Sequence, residues 1–284
     1  MTDAKVELPG FQERFGAGLR FLISGNGEPL VLVHGLGGAA SNWVALAPLL
    51  LHGRRLFVPE LPGHGGSEPL PGHPSLNDYA DALGRAVESE CTAPVPLVGH
   101  SFGGAVVLRL AIRRPELVAC LVLAGAAGIS SGTRRARYAL TISGLVQPAR
   151  RISPHRRLVA RSPLLRTLVF GGWGAADPPA FPAEMAEAFL AGPARHTDTV
   201  SAAKALVRED PRQELDRVSS PCLLLWGARD TQLPIGDAFE YARRLGAPLR
   251  AIADCGHLLI GERPEACADA INSFLKTNQP APET

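Results

Sequence analysis

The sequence has no long hydrophobic run. Its longest, counting glycine as apolar, is the 13 residues 117–129, whereas a membrane-spanning helix needs about 20. Neither sign of charge prevails. Lys and Arg number 29 against 27 Asp and Glu, a net charge of +2, so no general nucleic-acid partner is expected. Cysteine is sparse and unpaired by pattern. Cys91, Cys120, Cys222, Cys255 and Cys267 make an odd five with no C-x-x-C, which leads us to expect free thiols in a reducing cytoplasm. Charges near the N-terminus occupy the place of a signal peptide's apolar segment, which adds to the expectation of a cytoplasmic protein. There is no H-E-x-x-H, no zinc-type Cys/His spacing and no G-x-x-x-x-G-K-[ST] phosphate loop, so neither a metal nor a cofactor is expected. With 46% apolar and 20% charged residues, the chain has the balance of a globular protein with a real core.

Short apolar runs recur at 19–23, 30–33, 56–58, 95–98, 118–123, 222–226 and 249–252. Most are continuous rather than alternating, the mark of strands buried on both faces in a parallel sheet. Helical patterns fall between them at 42–50, 76–90, 103–113, 235–245 and 264–276. The alternation predicts an α/β fold with a mostly parallel central sheet flanked by helices. It is interrupted from 129 to 210, where Pro148, Pro154, Pro163, Pro178, Pro179, Pro182 and Pro193 divide a strandless stretch into short helices. That reads as a helical cap or lid inserted into a core made of 1–128 and 211–276. The polar tail 277–284 reads as disordered.

The sharpest chemical feature is Gly99-His100-Ser101-Phe102-Gly103-Gly104, a G-x-S-x-G between a predicted strand and a predicted helix. Strand, sharp turn and helix are the context of a nucleophile elbow, which presents a serine hydroxyl at the carboxyl end of the sheet. A serine nucleophile needs a base, and the base an orienting acid, in the chain order serine, acid, histidine. Asp230 lies just past one predicted strand, and His257 just past the next is the only histidine that follows it. Asp254, one turn from His257, is a rival acid. Acyl transfer also needs oxyanion donors. The backbone N–H of Phe102 and that of Leu36, in the Gly-rich turn His34-Gly35-Leu36-Gly37-Gly38, are the candidates. That same turn also fits G-x-G-x-x-A with Glu60 ending the next strand, a mimic of a dinucleotide-binding fingerprint. That reading leaves Ser101, Asp230 and His257 without a role.

The motifs HGLGG at 34–38, PGHGGS at 62–67, GHSFGG at 99–104, GARD at 227–230 and CGH at 255–257 together resemble the α/β-hydrolase superfamily, in its serine branch with a helical cap. The resemblance implies a catalytic triad of Ser101, Asp230 and His257 with Leu36 and Phe102 as oxyanion donors. It also implies a cofactor-independent hydrolase of a small-molecule substrate, foremost a carboxylic ester of a small to medium apolar acyl group. Serine at 101 argues against the dehalogenase and epoxide hydrolase branches, which use aspartate there. Relatives that cleave carbon–carbon bonds in ring-fission diketones often carry an aromatic after the base and asparagine before the serine. Here those residues are Leu258 and His100, so that activity is the alternative, along with a slow or non-catalytic binder on the same scaffold. Glu60, where relatives often have aspartate, is expected to be structural.

The inserted segment has no acidic residue between Glu116 and Asp177, but nine arginines: Arg134, Arg135, Arg137, Arg150, Arg151, Arg156, Arg157, Arg161 and Arg166. They read as a solvated basic face, or as an attractor for an anionic substrate or carrier. No amphipathic stripe for a membrane is legible in the sequence. Phe170, Trp173, Phe181, Met185 and Phe189 read for the most part as packing between the insertion and the core, and are also candidates, with Leu36 and Phe102, to border an apolar acyl pocket.

Overall fold

The computed structural model describes residues 8–131 and 148–278. All seven apolar runs form strands: β2 (Leu19–Ser24), β3 (Glu28–Val33), β4 (Arg54–Pro59), β5 (Val95–His100), β6 (Val118–Ala124), β7 (Cys222–Gly227) and β8 (Leu249–Ile252). An eighth, β1 (Gln12–Gly16), has no counterpart in the sequence reading. It is an antiparallel edge strand paired with β2, and its residues Gln12-Glu13-Arg14-Phe15 are exposed. An edge strand that buries nothing leaves no apolar pattern to read.

The sheet order is β1-β2-β4-β3-β5-β6-β7-β8, with parallel pairing from β4 through β8. Its strands divide their side chains between two cores. Leu32, Val98, Val122 and Leu225 pack in one, their neighbours Val31, Val33, Leu97, Leu121, Leu123 and Leu224 in the other. Both faces are therefore apolar, which is why the runs are continuous. Helices α2 (Leu76–Glu90), α3 (Phe102–Arg113) and α9 (Ile235–Leu245) cover the second core. Helices α1 (Ala47–Leu50), α10 (Leu259–Glu262) and α11 (Pro264–Asn278) cover the first. The helix expected at 42–50 is split into a 3₁₀ turn, Ala40–Trp43, and α1, with Pro48 in the first turn of the latter. The last helix runs to Asn278, two residues past the expected 276, so Thr277 and Asn278 belong to it rather than to a tail.

Between β6 and β7 the described residues contain no strand. They form α4 (Pro148–Ile152), α5 (Arg156–Arg161), α6 (Pro163–Phe170), α7 (Ala183–Ala191) and α8 (Thr199–Leu206), joined by 3₁₀ turns. Pro163 opens α6 beside an N-cap Ser162 that accepts Leu165 N–H, so the prolines here start helices rather than only stopping them. Among the described residues no helix is long and apolar enough to cross a membrane. Arg134, Arg135 and Arg137 lie outside the described residues.

Candidate active site

The turn after β5 carries Ser101 at φ 53°, ψ −115°, a left-handed conformation that costs a non-glycine residue about 1–3 kcal/mol. Its surroundings hold it there. Ser101 N–H donates to Ala124 O (2.9 Å), and Ser101 O accepts from Ala105 (3.2 Å) and Ala127 (3.0 Å). Gly103 lets the new helix pass close beneath β3. A Cβ at that position would sit 2.4 Å from the carbonyl oxygens of both Val33 and His34.

The acid and the base come from the ends of β7 and β8, which follow β5 in the sheet with β6 between. Their turns are tied together by Arg229 N–H to Cys255 O (2.8 Å) and Ala228 N–H to Ile252 O (2.9 Å). Asp230 is fully buried at its side chain. Its Oδ1 accepts the N–H groups of Gln232 (2.8 Å) and Leu233 (2.9 Å), and its Oδ2 lies 2.8 Å from His257 Nδ1. His257 Nε2 is 3.0 Å from Ser101 Oγ. A carboxylate can only accept, so Nδ1 carries the proton and Nε2 presents its lone pair to the serine. The rival Asp254 is 75% exposed and pairs with Arg229 at 3.6 Å. It shapes its turn at φ 46° and takes no part in this chain of hydrogen bonds.

The two oxyanion candidates flank the serine. Phe102 opens α3, where backbone N–H groups have no intrahelical partner. Its side chain is buried against Tyr79 and His64, so only its backbone can serve the site. Leu36 sits in a turn closed by Gly38 N–H to Gly35 O (3.0 Å), with Gly37 at φ 68° as a type II turn requires. Gly35 brings this turn against the elbow: a Cβ there would lie 3.2 Å from Ser101 Cβ. The turn is not free to cradle a pyrophosphate. Gly37 O accepts from His196 Nε2 (2.8 Å) and Ala39 N–H donates to Asn42 Oδ1 (3.0 Å). Glu60, the acidic residue of the fingerprint, is fully buried on Arg20 (3.0 Å) and Gly66 N–H (2.7 Å).

Several supporting residues escaped the sequence reading. Four buried histidines surround the site, and their partners fix their tautomers. His34 donates Nδ1–H to Gly35 O (2.8 Å) and accepts Leu61 N–H at Nε2 (3.0 Å). His196, from the inserted segment, accepts Gly65 N–H at Nδ1 (2.9 Å) while donating to the Leu36 turn. His64 donates to Pro62 O (3.0 Å), and His100 donates Nε2–H to the carbonyl of His257 (2.9 Å). Burial holds all four below the ordinary imidazole range, His196 at about 4 and His100 at about 3. They are neutral spacers that bind backbone, not proton carriers. Glu262 is the other. Its carboxylate accepts the N–H groups of Ala176 (2.8 Å), Gly256 (3.1 Å) and Leu258 (3.1 Å), clamping the two neighbours of His257. His257 N–H itself donates to Gly174 O (2.7 Å), and Gln232 beside the acid donates to Gly172 O (2.9 Å). The strip 172–176 of the insertion thus joins the acid loop to the base loop. His34, His64 and His100 lie inside the motifs HGLGG, PGHGGS and GHSFGG, but their supporting roles are not legible there; His196, Glu262 and the strip 172–176 belong to no motif.

Most of the apolar insertion residues take the packing role expected for them. Phe170, Phe181 and Phe189 pack in series, with ring centroids 4.7 and 5.8 Å apart. With Met185 they are buried in the first core. They form the interior of the insertion and its seat on the sheet domain.

Comparison with known proteins agrees with this architecture. The model of the alpha/beta hydrolase family matches residues 30–270. The pimeloyl-[acyl-carrier protein] methyl ester esterase of Aromatoleum aromaticum is 32% identical over 265 residues, 88% of this chain and 99% of that protein. The 2-hydroxymuconate semialdehyde hydrolase of Pseudomonas sp. (strain CF600) is 31% identical and covered to 93% on both sides. A putative lipase of Acinetobacter baumannii superposes with a TM-score of 0.76 at 23% identity, over 95% of this chain and 93% of its own. With 241 of its residues, 30–270, inside the family model, the chain belongs to the alpha/beta hydrolase family.

Proposed function

We propose that the protein is a serine hydrolase, foremost a carboxylesterase for small to medium apolar acyl esters, and that residues 129–210 form its cap. The observation that carries this reading is the unbroken hydrogen-bonded series Ser101 Oγ, His257 Nε2, His257 Nδ1 and Asp230 Oδ2, at 3.0 and 2.8 Å. In the reaction the Ser101 hydroxyl gives its proton to His257 Nε2 as Oγ bonds to the acyl carbon. Asp230 holds the imidazole in the accepting tautomer and stabilises the imidazolium. The oxyanion takes the N–H groups of Phe102 and Leu36, a pair of preorganised donors of which each is worth about 2.7–4 kcal/mol of barrier in a comparable site. Collapse breaks the bond to the leaving alkoxide, which takes the proton from His257. Water then repeats the sequence on the acyl-enzyme, with His257 as base, releasing the acid and restoring Ser101. Every step uses the chain's own groups.

Carbon–carbon cleavage of a ring-fission diketone is the second reading. It is favoured by the similarity to a protein named 2-hydroxymuconate semialdehyde hydrolase, and the same nucleophile and donors would serve it. Hydrolysis of a chain-length series of chromogenic esters and of one ring-fission diketone, by wild type and Ser101→Ala, tests both. Ester turnover that disappears in the variant is the expected result. Turnover that survives in Ser101→Ala refutes the nucleophile, and turnover of the diketone alone replaces the first reading with the second.

A further inference from the structure

Helices α5 and α6 turn an unusual face outward. Leu158 is 61% exposed, and Leu164 and Leu168 are each 69% exposed. Leu164 and Leu168 are four residues apart and so share one side of α6. Exposed arginines lie in the same stretch of chain: Arg150 and Arg151 on α4, and Arg157 and Arg161 on α5. Among the described residues Arg150, Arg151 and Arg161 make no ion pair. The acidic groups of the neighbouring elements are mostly engaged. Glu187 of α7 is held by Arg157 (3.2 Å) and Arg156 (3.8 Å), and Asp177 caps a 3₁₀ turn through Ala180 N–H. Glu184, exposed in the first turn of α7, is the remaining carboxylate. The basic residues therefore outnumber the free acidic ones. Isolated exposed leucines need no explanation, but three on consecutive short helices, in a stretch of chain that also carries exposed arginines without an ion pair among the described residues, are the makings of an interfacial surface.

We propose that the α5–α6 face of the insertion docks on an anionic phospholipid surface, with Leu158, Leu164 and Leu168 entering the headgroup boundary and Arg150, Arg151 and Arg161 pairing with lipid phosphates. The charge complementarity and the apolar residues together select this occupant. An acidic protein would use the arginines but would leave most of the leucine surface in water. The inference does not depend on the hydrolase reading, since it concerns a surface made without Ser101, Asp230 or His257.

Vesicle flotation of the full chain tests it, with vesicles of phosphatidylcholine alone and with phosphatidylglycerol added. The comparison is among wild type, Leu164→Asp/Leu168→Asp and Arg150→Glu/Arg151→Glu/Arg161→Glu, with circular dichroism to verify folding. Wild type is expected to float with the anionic vesicles, more weakly as salt is raised and weakly or not at all with phosphatidylcholine. Each variant is expected to lose at least about tenfold in partitioning, and hydrolysis of a water-soluble ester by the leucine variant should remain at the wild-type rate. Failure of wild type to float overturns the proposal. So does flotation lost in the arginine variant but retained in the leucine variant, since that is adsorption by charge alone. Binding to soluble polyglutamate, with no binding to vesicles, would assign the surface to an acidic protein instead.

Discussion

Replacing Asp230 by asparagine tests the proposed mechanism at one atom. Asp230 Oδ1 accepts two backbone N–H groups, from Gln232 and Leu233 at 2.8 and 2.9 Å. In Asp230→Asn the side-chain oxygen must stay at that position, because an NH₂ group there would face two donors. The new NH₂ is therefore forced toward His257 Nδ1, where it donates. Nδ1 must then offer its lone pair, and the ring proton moves to Nε2, which faces Ser101 Oγ at 3.0 Å. The base is thus turned into a donor without any loss of packing. In a serine protease with the same constellation the corresponding change lowers kcat about 10⁴-fold, which is about 5 kcal/mol of barrier. Steady-state kinetics on the best chromogenic ester gives kcat for both proteins, and urea unfolding establishes that the fold is kept. A loss smaller than about tenfold in a folded Asp230→Asn protein would refute the role assigned to Asp230 and reopen the case for Asp254.

Three further outcomes follow from the supporting residues. His100 and His196 are held at about 3 and about 4 by burial, so the folded state binds fewer protons than the unfolded chain below about pH 6.5. Stability is then present above that value and declines as the pH falls toward the folded values. The two together account for a loss of about 4 kcal/mol between about pH 7.5 and about pH 5 in urea unfolding, and equal stability at both would contradict it. Gly35→Ala places a methyl group 3.1 Å from His100 Nδ1 and 3.2 Å from Ser101 Cβ. It should displace the Leu36 turn, destabilise by about 1–3 kcal/mol and lower kcat; unchanged kcat would separate this turn from the chemistry. Glu262→Ala leaves three N–H groups without their acceptor, and a loss of about 3 kcal/mol with a fall in kcat is expected. Wild-type stability and kcat in that variant would show that the clamp is idle.

The central sheet was legible because its strands are buried on both faces, so apolar content alone marked 30–33, 95–98 and 222–226. The polar edge strand β1 was not, since an antiparallel edge leaves no such mark. The elbow was legible because the sharp turn admits few residue types, and strand and helix patterns flank it. Asp230 and His257 were placed by chain order and by their position after strands. What stayed hidden is the support around them. Gly174 meets the base loop through its backbone carbonyl, a contact that makes little demand on sequence. The His196 ring binds backbone groups of Gly37 and Gly65 over long sequence distances, which leaves no local pattern to read. For the phenylalanines 170, 181 and 189 the sequence left packing and pocket lining both open, because an apolar residue that faces a substrate and one that faces a neighbour look alike. The exposed leucines of α5 and α6 were invisible for the related reason that neither helix is long enough to show a stripe.

The attachment of His257 N–H to Gly174 O has a consequence for the order in which the molecule is made. Ser101 precedes His257 by 156 residues, an interval of roughly 8–30 s of synthesis at about 5–20 residues per second. Every residue of the insertion leaves the ribosome within that interval. The base therefore arrives last, and the loop that receives it is already bordered by residues 172–176. On the proposed mechanism the growing chain carries an inert serine until His257 has been made, and by then every residue of the insertion exists, so the nucleophile is not activated before the strip that borders its base.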